Sequence, residues 1–230
     1  MPDNANPLDF NFIMASSVHD IKNSLSMLLH SLDEVSQEVN ELQLPVADRM
    51  ATLQYEAARV NNDLVQLLSL YKMENEALRP HIDEHFLNDF LEEHVARYHP
   101  LFKVKDMRCD VECDDSLSGY FDRDLISGVI NNTLANAIRY SHDAICVSAF
   151  RESGGLTIMV EDDGGGFPVN MLEQPGNMTE GVDFESGSTH LGLYFAYRIA
   201  TLHTQNGQTG YIELSNDSRL GGGTFKLHLP

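Results

Sequence analysis

Asn131-Asn132-Thr133-Leu134-Ala135-Asn136-Ala137-Ile138-Arg139-Tyr140-Ser141 is the stretch on which the reading of this chain turns. Asn132 and Asn136 are four residues apart, so on a helix their amides stand one above the other. Val129, Ile130, Leu134, Ala137 and Ile138 give that helix a separate apolar side to bury. Asn is a poor helix former, because its side chain competes for backbone hydrogen bonds. Two stacked amides on one turn therefore pose a question about what they hold. A carboxamide oxygen is a hard, neutral ligand suited to Mg²⁺ beside phosphate, and Arg139 lies one turn further on to meet an anion. The plainer alternative is a solvated polar face.

Composition narrows the field. The chain has 230 residues, 42% of them hydrophobic, and a formal net charge of −20. That is enough apolar material for one large domain or two small ones. The acidity argues against nucleic acid and anionic membranes as partners. No apolar run approaches the ~18 residues of a membrane span. The first residues lack the basic and apolar regions of a secretory leader. Cys109, Cys113 and Cys146 make an odd set without paired metal spacing; they read as buried thiols in a reducing, cytoplasmic compartment. The histidines are scattered, and no structural zinc is expected.

Residues 1–9 read as a disordered lead-in. From residue 10 to 74 the pattern is helical. Met14, Val18, Ile21, Leu25, Leu28, Leu32, Val35, Val39 and Leu42 alternate steps of four and three, and the pattern restarts at Val46, Met50, Leu53, Ala57, Val60, Leu64, Leu67 and Tyr71. Two such helices about Pro45 make a hairpin with one broad apolar stripe. A second copy completes it as a dimeric four-helix bundle; packing on its own C-terminal half is the alternative. Residues 75–81 read as a linker. Residues 82–230 read as α+β: helices at 86–98, 122–140 and 191–203, and strands at 109–113, 144–149, 156–160, 211–214 and 224–229. A hairpin turn is expected at Gly207–Gly210. The polar stretch 169–189 is too long for a passive loop.

Several motifs in order carry a family resemblance. Asn132-x-x-x-Asn136-Ala137-Ile138-Arg139-Tyr140-Ser141 resembles the N box of the two-component sensor histidine kinases. Asp162-Asp163-Gly164-Gly165-Gly166-Phe167-Pro168 resembles their first glycine box. His190-Leu191-Gly192-Leu193 resembles the second, with Ser188 and His190 where glycine is usual. Gly221-Gly222-Gly223-Thr224-Phe225 resembles the glycines before the last strand. The resemblance implies an α/β sandwich of the type shared with gyrase, the heat-shock chaperone and mismatch-repair ATPases. It implies ATP and Mg²⁺ as cofactors. Asp162 would accept from the adenine amino group, with Gly164 and Gly166 letting the backbone approach. Asn136 would hold the metal with Asn132 near it. Arg139 would meet phosphate and Tyr140 adenine. Leu191, Gly192 and Leu193 would open a phosphate-facing helix, and Thr224 would border the nucleotide. Residues 169–189 would be the lid.

The hairpin extends the resemblance. Ser17-Val18-His19-Asp20-Ile21-Lys22-Asn23 resembles the H box of the phosphoacceptor domain. His19 would be the phosphoacceptor and Asp20 would fix its tautomer. Asn23, one turn on, would orient water for dephosphorylating a regulator. The usual proline five residues after the His is replaced by Ser24-Leu25. His30 has no adjacent acid and reads as surface. The whole then reads as a kinase core with two partners, a second copy of itself and a response-regulator receiver domain, and with input from a separate sensor. Two other readings remain: a histidine phosphotransfer protein with a degenerate ATP site, and an ATPase or serine kinase of anti-sigma type using only the C-terminal fold.

Overall fold

The computed structural model describes residues 10–42, 46–75, 78–152, 154–173 and 191–230. The chain divides into two compact units between Leu78 and Arg79.

The first unit is α1 (Phe10–Glu41) and α2 (Ala47–Glu74), packed against each other. Leu25, Leu32 and Leu64 are half-buried, while Val39, Ala51 and Leu70 are buried. Gln54 on α2 donates to Asp33 Oδ1 on α1 at 3.4 Å, a polar contact that helps set the helix register. A second set of apolar residues is not covered. Ile21, Leu28 and Val35 on α1 with Leu42 just after it, and Leu53, Val60 and Leu67 on α2 with Val46 just before it, recur every seventh position and are all 41–68% exposed. At the place of the missing proline, the Ser24 hydroxyl donates back to the Asp20 carbonyl at 3.0 Å, and α1 runs through without a break.

The second unit runs β1 (Asp83–Phe86), α3 (Leu87–Ala96), α4 (His99–Lys105), β2 (Arg108–Cys113), β3 (Ser118–Phe121), α5 (Arg123–Tyr140), β4 (Ala144–Glu152), β5 (Gly155–Asp162), α6 (Val169–Glu173), α7 (Leu191–Leu202), β6 (Thr204–Gln205), β7 (Gln208–Thr209), β8 (Tyr211–Ser215) and β9 (Thr224–Leu229). The main sheet has the order β2-β4-β5-β9-β8. Only β2–β4 is parallel; the other pairs are antiparallel. Helices α3, α5 and α7 cover one face of it. Strand alternation sends Val147, Ile158, Val160, Phe225 and Leu227 to that face, where Ile126, Ile130, Leu134, Phe195 and Ile199 meet them, all buried. Truncating one of these Ile, Leu or Phe side chains to Ala would cost about 2–5 kcal/mol. The alternate residues Cys146, Glu161 and Thr224 stand in register on the opposite face.

Three differences from the sequence reading stand out. Phe86 does not join the apolar side of a helix; it ends β1, caps α3 and is 56% exposed. β1 and β3, a small antiparallel pair, and α4 have no counterpart in the sequence reading. The turn of the β6–β7 hairpin falls at Asn206–Gly207, not Gly207–Gly210, because both residues take positive φ, 50° and 79°, as a tight two-residue turn requires.

Candidate active site

α5 forms where the N box was read because Asp122 caps it, its Oδ1 accepting from the Leu125 N–H at 2.9 Å. Asp122 also receives the His81 N–H on Oδ2 at 2.7 Å, and its own N–H donates to His203 Nε2 at 3.0 Å. That bond fixes His203 as the Nδ1–H tautomer, donating to the Ile199 carbonyl at 2.9 Å. His94, 1% exposed, buttresses the middle of α5 by donating from Nδ1 to Asn131 Oδ1 at 2.8 Å and accepting from Ser127 Oγ at 3.0 Å. Burial depresses both histidine pKa values. Asn131 thus faces the interior scaffold. Asn132 is half-buried, and Asn136, Arg139 and Tyr140 are exposed on the outer side of α5. The Arg139 guanidinium lies 5.3 Å from the Tyr140 ring centroid.

The start of α7 meets this face. A Cβ on Gly192 would lie 2.4 Å from both polar atoms of the Asn132 carboxamide. Leu191 and Leu193, half-buried, flank that glycine. The second-glycine-box helix and the N box are therefore neighbours.

Across from them, β5 ends in two carboxylates with different duties. Asp162 lies on the helix-covered side of the sheet, as Val160 does. Its Oδ1 accepts from the Gly164 N–H at 2.8 Å and the Gly223 N–H at 3.1 Å. No hydrogen bond among the described residues uses its Oδ2. The approach is close: a Cβ on Gly164 would lie 2.4 Å from the Tyr140 carbonyl oxygen, and one on Gly222 would lie 2.5 Å from Asp162 Oδ1. Gly166 has φ +75° and sits against Asn216, whose amide donates to the Phe167 carbonyl and accepts from the Phe167 N–H.

Asp163 points elsewhere. It accepts the N–H groups of His142, Asp143 and Ala144, joining the exit of α5 to the end of β5. Desolvation raises its pKa, but the backbone donors outweigh that and hold the carboxyl below its ordinary 3.8. Thr224 opens β9 beside Glu161; its hydroxyl is buried and finds no partner among the described residues. An exposed Asn carboxamide and a carboxylate oxygen with no hydrogen bond among the described residues fit a nucleotide with its metal ion. Among the described residues no cluster of three or more His, Cys, Asp or Glu forms a metal site. A Mg²⁺ on Asn136 would thus take its remaining ligands from phosphate and water.

The other expected residues are placed as follows. His19 lies within α1, and its side chain is outside the described set, as is His190. Asp20 and Asn23 are on the same helix and exposed. His30 is exposed and pairs at 3.6 Å with Glu34, an acid one turn away rather than adjacent. Of the supposed lid, residues 169–173 form α6, and 174–189 lie outside the described residues. Asp163, Asn216 and the Arg219 contacts taken up below were not read from the sequence.

Mixed sheet, single helical layer and glycine-bordered carboxylate together make an α/β domain with a candidate nucleotide site. Residues 121–230 match the model of the histidine kinase-, DNA gyrase B- and HSP90-like ATPase family. The chain is related to sensor histidine kinases. CpxA of Escherichia coli (strain K12) is 35% identical over 115 residues, 48% of this chain and 24% of CpxA. GraS of Staphylococcus haemolyticus (strain JCSC1435) is 25% identical over 218 residues, 93% of this chain and 59% of GraS. The chain therefore spans between about a quarter and three-fifths of these curated relatives. Among solved structures, the Acinetobacter baumannii histidine kinase AdeS matches with TM-score 0.59 at 19% identity, over 87% of this chain and 95% of its own. The catalytic domain of histidine kinase ThkA matches with TM-score 0.56 at 20% identity, over 65% of this chain and 97% of its own. At such identities the likeness concerns the fold. No helix among the described residues is long and apolar enough to cross a membrane.

Proposed function

We propose that this chain is an ATP-dependent histidine kinase core that phosphorylates itself on His19 and passes the phosphoryl group to an aspartate of a response-regulator receiver. The observation that carries the reading is the carboxylate of Asp162, held by two backbone N–H groups through one oxygen, with no hydrogen bond among the described residues at the other. Such an oxygen accepts a hydrogen bond from the adenine amino group and rejects a 6-oxo purine.

Asn136, assisted by Asn132, would hold Mg²⁺, which would supply positive charge beside the phosphates, and Arg139 would take part of the phosphate charge. Tyr140 borders adenine, and Leu191, Gly192 and Leu193 form the phosphate-side wall; Thr224 follows Gly223 at the edge of the site, with its side chain on the opposite face beside Glu161. His19 supplies the nucleophilic nitrogen: its bond to phosphorus forms as the bond to the ADP oxygen breaks. Asp20 orients the imidazole through its other nitrogen. Asn23 positions water for the reverse duty, hydrolysis of the regulator's phosphoaspartate.

The uncovered heptad residues of both helices support a second copy of this chain as the partner of the hairpin. Eight large apolar side chains at seven-residue spacing suit a helix-to-helix seam better than solvent. Input comes from a separate sensory domain or protein.

The test is incubation with Mg·ATP carrying labelled γ-phosphate, followed by acid and alkali treatment. Acid-labile, alkali-stable label in the parent and none in His19→Gln is the expected result. Label that survives in His19→Gln would assign the phosphoacceptor elsewhere.

A further inference from the structure

Arg219 lies outside every motif quoted above, in the turn between β8 and β9. Its backbone N–H donates to Glu161 Oε1 at 3.1 Å and its Nε to Glu161 Oε2 at 2.7 Å. Its Nη2 reaches Glu112 Oε2 at 2.8 Å and Cys146 Sγ at 3.0 Å. Glu161 is 4% exposed, and among the described residues Arg219 is the cation that pairs with its buried carboxylate.

The position of this cluster gives it meaning. Glu161 precedes Asp162 on β5, and successive strand residues face opposite ways. Asp162 lies on the helix side of the sheet; Glu161, with Cys146, lies on the other. Arg219 therefore grips its turn from behind the nucleotide site. The same turn supplies most of what fixes Asp162. The Ser218 hydroxyl and Gly222 N–H donate to the Asp162 carbonyl at 2.8 and 3.0 Å, and the Gly223 N–H donates to its Oδ1. Gly222 and Gly223 press so near that a Cβ on either would come within 3.0 Å of the Asp162 carboxylate. A small shift of the turn must move that carboxylate.

We propose that Arg219 is a positioning residue for adenine recognition: anchored on Glu161 and Glu112, it holds the 218–223 turn so that Asp162 Oδ2 is aimed at the base. This rests on the nucleotide reading of the site. Arg219 touches no part of the nucleotide, and its effect passes through the turn.

The experiment compares ATP with inosine triphosphate, which carries an oxygen in place of the adenine amino group. Affinities of both are measured by displacement of a fluorescent ADP analogue, with circular dichroism as the check on folding. Arg219→Met leaves Glu161 buried without its cation, so the double variant Glu161→Gln/Arg219→Met is included, in which no lone charge stays buried. The parent is expected to prefer ATP. Both variants are expected to lose about tenfold in ATP affinity, the scale typical of outer partners that orient a ligand-holding group, with little change for inosine triphosphate. Arg219→Lys, lacking the planar fork, should recover only part of the preference. A folded double variant with the parent's preference overturns the proposal, as does an equal loss for both nucleotides. A parent that binds neither nucleotide overturns the nucleotide reading itself, and the role of Arg219 with it.

Discussion

Replacing Asp163 by Asn would test how the exit of α5 is tied to β5. In the parent, Oδ1 accepts the His142 N–H at 2.8 Å, and Oδ2 accepts those of Asp143 and Ala144 at 2.9 and 3.1 Å. An amide keeps one acceptor oxygen and sets an N–H₂ group against a backbone donor on the other side. A hydrogen bond to a charged acceptor contributes about 1.5–3 kcal/mol. His142 and Asp143 are exposed, so water replaces part of what is lost. We expect a loss of about 1–2 kcal/mol at neutral pH, hence a melting temperature lower by several degrees for a domain of this size. The pH dependence supplies a second check. The folded pKa of Asp163 lies below the ordinary 3.8, so its contribution is complete above that value and is lost as pH falls through the folded value. The gap between parent and Asp163→Asn should accordingly close in acid. Thermal melts followed by circular dichroism, from neutral pH to below about pH 4, measure both effects. Equal melting at neutral pH, or a gap unchanged in acid, would refute the reasoning.

Other outcomes follow from the same geometry. Asn136→Ala should abolish Mg²⁺-dependent nucleotide binding with the fold intact, because the side chain is exposed and supports no packing; calorimetry with Mg·ATP tests it. Leu28→Glu with Leu53→Glu places charges on the uncovered heptad face only, so sedimentation should give a monomer that keeps its helical circular dichroism. A parent that is already monomeric at micromolar concentration would dispose of the seam. Asn23→Ala should retain label on His19 and lose phosphatase activity towards the phosphorylated receiver; unchanged hydrolysis would leave Asn23 as a polar surface residue.

Much of this architecture was legible because its signals are local. Heptad spacing marks α1 and α2, and Val129, Ile130, Leu134 and Ile138 mark the buried side of α5. What stayed hidden has no local signature. β1 and β3 are four residues each, too short for alternation to stand out. α4 begins with His99-Pro100, and a proline there reads equally well as a break or as a first helical turn. Phe86 looks like a core residue by type and is exposed by position. Within the site, the glycines and Asp162 could be singled out as candidates because their spacing is compact. Asp163 and Asn216 bond across 19–21 and 49 residues of chain respectively, and neither partner announces the other. Position also divided the Asn pair from its neighbour: Asn131 serves His94 and the interior, while Asn136 faces outward.

The reach of Arg219 bears on the order in which the molecule assembles. Its partners Glu161, Cys146 and Glu112 lie 58, 73 and 107 residues away in the chain. The β4–β5 ribbon, by contrast, pairs Glu152 with Gly155, three residues on in the chain. Contacts between distant segments meet a larger loop-closure entropy and are slow to form. Refolding should therefore restore the sheet before the turn settles behind Asp162. Recovery of nucleotide binding would then lag the recovery of secondary structure, with the Arg219 clasp among the last parts to close.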